Sequence, residues 1–166
     1  MSADGRFVAF ESFASNLVAG DTNGTFDVFV RDRLAGVTRR VSVGVGGQAN
    51  RFSLLPAMSA DGRIVAFYTP ASNLVAGGHQ REVRRVRPGS AGRGDPAGVG
   101  RRRRQANGGS CNPAISANGR SVAFESNASN LVRGDTNAVT DVFVRDPLLG
   151  PAPSGGDPRP GPLVRR

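Results

Sequence analysis

Lysine and tryptophan are absent from this 166-residue chain, and tyrosine, cysteine and histidine occur once each. A lone Cys111 excludes an intramolecular disulfide and any zinc cluster built on several thiolates. With His79 as the only imidazole, no Ser-His-Asp or Cys-His arrangement can be assembled with conviction. No run of 18 apolar residues occurs, so no segment reads as a membrane-spanning helix. No segment carries a 3.6-residue apolar period either, so helices are not expected. The length fits one domain.

What is plentiful is glycine (23), proline (11) and arginine, which supplies all 22 basic residues. The formal charge of +9 invites a nucleic-acid reading, but its distribution argues against one. Residues 78–104 hold nine Arg against Glu82 and Asp95, a net +7. Residues 147–166 hold three Arg against Asp157, a net +2. The remainder balances ten Arg with ten acids.

That neutral remainder is repetitive. "SADGRFVAFES" begins at Ser2, "SADGRIVAFYT" at Ser59 and "SANGRSVAFES" at Ser116, a spacing of 57 residues both times. Residues 2–36 match 116–150 at 26 of 35 positions without a gap, and 59–77 match 2–20 at 15 of 19. Within a unit, "FVAF" (7–10) is a short apolar run suited to a buried strand. "DVFVRD" (27–32) alternates Val28 and Val30 with Phe29 and Arg31, as a sheet strand does. "TRRVSV" (38–43) is a third β-branched stretch, and "PAIS" (113–116) a short fourth. "SADG" and "GDTNG" carry the Asp, Asn and Gly of tight turns. Four short antiparallel strands per repeated unit is the pattern of a β-propeller blade.

The motif "SADGRFVAF" resembles the repeat of TolB-like, WD40-like propellers known as PD40 repeats. Its longer form, through "ASNLV", "GDTN" and "DVFVRD", is similar to bacterial proteins built largely of such units. The resemblance covers roughly 2–77 and 105–150. It implies an all-β propeller architecture, an exported protein of the periplasm, cell envelope or exterior, and a scaffold for protein or ligand contacts. It does not imply catalysis. The expected organisation is repeat 1 over 1–58, repeat 2 over 59–115 with 78–104 disrupted, a partial repeat 3 over 116–150, and a disordered Pro/Gly-rich tail over 151–166. Propellers take four to eight blades, so three incomplete ones read as a fragment. Met1 stands where other units carry Met58 and Ile115, so the start is expected to lie inside a longer gene, and no signal peptide is read ahead of the first repeat. The fragment is expected to be marginally stable or prone to aggregate, because such units depend on neighbours and exposed sheet edges recruit partners.

The second unit breaks after Gly77, yet resumes in register: Gln105 lies 57 residues after Gln48. A shifted reading frame explains this. Gly78-His79-Gln80, written GGA CAC CAA C, regroups one base later to GAC ACC AAC, which encodes the Asp-Thr-Asn found at 21–23. "RRVRPG" (84–89) regroups in the same shift to the "DVFVRD" of 27–32, and "RGDPAGVG" (93–100) is compatible with the "GVTRRVSV" of 36–43. Residues 78–104 are therefore read as a frameshifted translation, restored by an opposite shift before Gln105. The alternative is a diverged loop.

The candidate chemistry is sparse. "GDTNGTFD" and "GDTNAVTD" set Asp21, Asn23 and Asp27, and Asp135, Asn137 and Asp141, at i, i+2 and i+6, a spacing that suits calcium. The third acid and distal Glu of an EF-hand are missing, so a self-bonded turn is preferred. Arg84, Arg85, Arg87 and Arg101–Arg104 are candidates for phosphate contacts, but 78–104 has no aromatic residue to stack a base. Glu11 and Glu125 occupy equivalent positions, which favours structure over paired-carboxylate chemistry. Cys111 aligns with Leu54 and reads as half-buried. Ser15-Asn16-Leu17, Ser72-Asn73-Leu74 and Ser129-Asn130-Leu131 read as a polar pair and apolar anchor fixing the connection between the second and third strands. No catalytic, cofactor-binding or metal-ligating residue is assigned, no cofactor is expected, and the expected partner is another protein. Membrane insertion is set aside, and nucleic acid is the less favoured partner. The remaining alternatives are the accessory propeller of a hydrolase whose catalytic part lies elsewhere and a basic nucleic-acid binder.

Sequencing the DNA for residues 70–166 is expected to reveal compensating single-base shifts near codons 78 and 104; an unchanged frame at both places retires the frameshift reading.

Overall fold

The computed structural model describes residues 1–44, 47–74, 82–85 and 106–146. Eleven strands and no helix occur among them: β1 (Phe7–Ser12), β2 (Asp27–Asp32), β3 (Val37–Arg40), β4 (Val43–Gly44), β5 (Gly47–Gln48), β6 (Leu54–Met58), β7 (Ile64–Tyr68), β8 (Glu82–Arg85), β9 (Ser110–Ile115), β10 (Val122–Ser126) and β11 (Asp141–Arg145). They form three antiparallel three-stranded sheets, β1-β2-β3, β6-β7-β8 and β9-β10-β11, and a two-stranded ribbon, β4-β5. The all-β expectation holds. Among the described residues no sheet has four strands: the three larger ones have three each, and none closes on itself. The first sheet begins at the unit's second strand. The other two begin one strand earlier, at β6 and β9, the latter extending the "PAIS" stretch back to Ser110, so in the fold the second and third units take in the residues leading into β6 and β9, ahead of the sequence bounds at 59 and 116.

Each unit opens on the same turn. Ser2 Oγ donates to Asp4 Oδ1 (2.6 Å) and accepts from the Phe7 N–H (2.8 Å), while the Arg6 N–H is held by Asp4 Oδ1 (3.0 Å). Ser59 and Asp61 repeat these bonds around Arg63 and Ile64. Ser116 repeats them with Asn118 in place of Asp, because both side chains offer the accepting Oδ1. The two short strands that leave the turn are then paired identically in the outer units. Phe7 faces Asp32 and Phe10 faces Phe29; Phe124 faces Phe143 and Val122 faces Arg145. Adding 114 to the β1–β2 pairs from Val8–Arg31 to Ser12–Asp27 reproduces the β10–β11 register. The paired rings stack at 5.7 Å and 5.6 Å.

The middle unit departs from this register. Ile64 pairs with Arg85, whereas the repeat spacing would pair it with Gly89. A four-residue slip has a backbone cause. In the repeat register Pro88 would face Val65, and proline has no N–H for the ladder. The slip is even, so strand parity is kept, and Val83 faces Ala66 as Val30 faces Ala9. The break seen in the sequence after Gly77 thus appears in the fold as a displaced strand. The rest of 78–104 and the tail 151–166 lie outside the described residues.

The units stack through one repeated contact. The Ala3 N–H donates to the Ala60 carbonyl (2.8 Å), and the Ala60 N–H to the Ala117 carbonyl (2.9 Å). The Phe7 ring lies over Gly62 so closely that a Cβ there would meet its Cδ2 at 2.5 Å; Ile64 covers Gly119 in the same way, at 2.7 Å. Between the first two units this contact closes a core of Phe7, Val28, Val30, Ala49, Val65, Phe67, Ala71 and Leu74. Val28, Phe29 and Val30 are all buried, so β2 is covered on both faces.

Gly62 has φ +70°, as does Gly5 at the equivalent turn, where only Arg33 Nη1 lies within reach of a Cβ, at 3.5 Å. Gly5→Ala is expected to cost about 1 kcal/mol, from the left-handed backbone alone. Gly62→Ala adds displacement of Phe7 and is expected to cost about 2–4 kcal/mol. Urea unfolding of both variants checks this; equal losses would refute the role given to Phe7.

Candidate functional site

Polar side chains converge where the "GDTN" loop meets the end of β3. Asp27 opens β2 and is fully buried. Its carboxylate accepts from the Ser42 hydroxyl and from Asn23 Nδ2 (2.7 Å). Ser42 Oγ in turn accepts the Val28 N–H (3.1 Å). The Arg40 guanidinium lies between two acids, with Nη1 2.9 Å from Asp21 Oδ1 and 3.6 Å from Asp27 Oδ2, while its Nη2 donates to the Gly20 carbonyl (3.1 Å). Burial pushes the Asp27 carboxyl above its ordinary value, against the opposing pull of Ser42, Asn23 and Arg40.

This geometry decides how the calcium spacing reads in the first unit. Asp21, Asn23 and Asp27 do come together, but Arg40 supplies the positive charge between the acids and Asn23 turns its amide donor, not its oxygen, toward Asp27. In the third unit Asn137 Nδ2 likewise donates to Asp141 (3.1 and 3.2 Å). Among the described residues no group of three His, Cys, Asp or Glu is placed to hold a metal.

The connection ahead of β6 joins this cluster to the next unit. Gln48 Nε2 donates to Thr22 Oγ1 (2.6 Å), and Asn23 Nδ2 also reaches the Ala49 carbonyl (3.1 Å). Asn50 donates its N–H to Asn73 Oδ1 (3.0 Å) and its Nδ2 to Ser72 Oγ (2.9 Å), and Asn73 Nδ2 caps the Gln48 carbonyl (2.8 Å). Asn107 repeats the bonds to Asn130 and Ser129. The Ser-Asn pair therefore has a packing role with a different partner from the one expected. It latches the "QAN" segment leading into its own unit's first strand, while Leu74 anchors the core. The recurrence of "QAN" at 48–50 and 105–107 was the available signal for that partner.

At the other end of β2, Asp32 takes a two-pronged bond from Arg6, Nε to Oδ1 (3.1 Å) and Nη2 to Oδ2 (2.9 Å), and also accepts the Leu34 and Ala35 N–H groups (3.1 Å each). The Arg6 bond is the main reason the Asp32 carboxyl falls from 3.8 to about 2.

The remaining candidates are dispersed. Glu11 accepts the Leu55 N–H from the second unit, whereas Glu125 accepts Asn112 Nδ2 (2.9 Å) within the third. They do not form a carboxylate pair, because they stand in different units. Cys111 is half-buried, its Sγ 4.0 Å from Glu125 Oε2, in keeping with the alignment to Leu54. His79, Arg87 and Arg101–Arg104 lie outside the described residues; Arg84 and Arg85 belong to β8. Among the described residues no helix is long and apolar enough to cross a membrane.

One feature escaped the repeat analysis because it departs from the repeat. Phe13 and Phe26 pack edge to face at 5.5 Å, yet are 60% and 43% exposed. The Phe26 carbonyl accepts the Ser53 N–H (2.8 Å), which brings in exposed Phe52, whose ring lies 5.9 Å from Tyr68. Exposed Leu55, held by Glu11, lies on β6 nearby. The third unit has Asn127, Thr140, Gly109, Glu125 and Asn112 at these positions. The apolar rim therefore belongs to the first two units alone. No protein family matches the chain, and no curated protein matches it.

Removing Asp27 leaves Arg40 and Ser42 facing a gap. Asp27→Ala is expected to lower stability on the order of 3 kcal/mol in urea unfolding; a loss below about 1 kcal/mol would contradict the cluster's structural role. Asp32 has a depressed folded pKa, so its contribution is complete above the unfolded value of 3.8 and fades as pH falls toward about 2. Asp27 has the opposite sign: its raised value makes ionisation cost stability as pH rises from 3.8 through the folded value. In Arg6→Gln the Asp32 carboxyl is expected to titrate nearer 3.8 by carbon NMR; no change would remove Arg6 as the cause.

Proposed function

We propose that the chain is a non-catalytic segment of TolB-like, PD40-type propeller repeats that works by presenting a surface to a protein or peptide partner. The observation that carries this reading is the exposed aromatic rim of Phe13, Phe26 and Phe52, with half-buried Tyr68 packed beside Phe52. Exposed rings cost solubility, and grouped ones serve recognition. The third unit, with the same strand register, carries Asn127, Thr140 and Gly109 in place of these phenylalanines, so the fold does not require them. The neighbouring acids and amides support the same reading, since the described candidates for catalysis are held in structural hydrogen bonds. An envelope or extracellular location follows the sequence resemblance and belongs to this proposal.

The test uses Tyr68, the only tyrosine in a chain without tryptophan, as an intrinsic reporter. Peptides lacking Tyr and Trp are selected by display against the full chain. Binders are expected to change Tyr68 fluorescence and to weaken about tenfold or more in Phe13→Ser/Phe26→Ser. Failure to enrich any peptide, or binding indifferent to that double substitution, would overturn the proposal.

A further inference from the structure

The contact between units occurs twice among the described residues, and the outer faces of the first and third units each carry residues of one half of it. On the forward face of the first unit Val28 and Val30 are 0% and 3% exposed, because the second unit covers them. Their equivalents in the third unit, Val142 and Val144, are 65% and 62% exposed. On the receiving face of the second unit Val65, Phe67, Ala71 and Leu74 are buried. Their equivalents in the first unit, Val8, Phe10, Ala14 and Leu17, are the same residue types and are only half-buried. The backbone ladder is also open-ended: Ala3 donates to Ala60 and Ala60 to Ala117, while the Ala117 N–H has no partner among the described residues.

We infer that the Val142/Val144 face binds the Val8/Phe10 face of a second copy of this chain, head to tail. The occupant is argued from continuity with the internal interface: Val142 and Val144 stand for Val28 and Val30 of one half, and Val8, Phe10, Ala14 and Leu17 for Val65, Phe67, Ala71 and Leu74 of the other. Such an interface is heterologous, so it propagates rather than stopping at a symmetric pair. It is weaker than the internal contacts at two points. Ser121 replaces the Phe7 and Ile64 that cover the turn glycines, and Glu125 is engaged with Asn112 rather than with a following unit as Glu11 is. Association is therefore reversible and grows with concentration. The inference rests on reading the chain as a stack that works through its surfaces, but it uses the stack's ends and not the aromatic rim.

The test blocks one end at a time in the full chain. Val142→Glu/Val144→Glu blocks the forward face, where both side chains are already exposed. Val8→Glu blocks the receiving face, beside exposed Arg31. Light scattering of the unsubstituted chain is expected to show a mass that rises with concentration. Each blocked chain alone is expected to self-associate at least about tenfold more weakly, with its β circular dichroism unchanged. Mixing the two is expected to give a one-to-one dimer through the single intact pair of faces, and nothing larger. A folded chain that stays monomeric, association untouched by either block, or a blocked chain that dimerises by itself would each overturn the inference. None of these outcomes bears on peptide binding at the aromatic rim, so the two readings fail separately.

Discussion

The contact of one unit's opening strand with the next unit's turn is what the rest of the structure depends on. A three-stranded sheet of short strands has two faces and too little of its own material to cover either. Stacking solves this by placing a large side chain, Phe7 or Ile64, on the bare Cα of a turn glycine, Gly62 or Gly119. That close approach brings the turn backbones into hydrogen-bond range and lets Val28 and Val30 meet Val65 and Phe67. The same glycine serves the turn through its positive φ and the packing through its missing side chain.

Polar residues then fix the spacing that the apolar contact requires. The Gln48-Ala49-Asn50 segment is tied backward to Thr22 and Asn23 and forward to Ser72 and Asn73. It acts as a hinge pin between units, with every bond made to a short side chain of limited freedom. The Asp21–Arg40–Asp27 cluster closes the outer side of the first unit. Its charges are largely withdrawn from water and are paired with one another: Arg40 Nη1 stands between the two carboxylates, although its Nε is buried without a hydrogen-bond partner among the described residues. A loop that looks like a cation site in one dimension is, in the first unit, already supplied with its cation by β3.

The repeat spacing, the strand cores at 7–10 and 27–32, the Asp/Asn-Gly turns and the break after Gly77 were all legible in the chain. Each depends on local chemistry: turn residues, β-branched runs and proline act within a few positions of themselves. The partner of the Ser-Asn latch was not legible, because it lies more than 20 residues away and is chosen by packing.

The sequence by itself determined that the chain is all-β and periodic, since a 57-residue recurrence of turn and strand signals admits little else. Only the tertiary structure decided which valines are core and which are surface. Val28 and Val142 sit in the same motif with the same register, and one is buried while the other is open. Burial is a property of what lies opposite, and no local pattern encodes whether a neighbouring sheet is there.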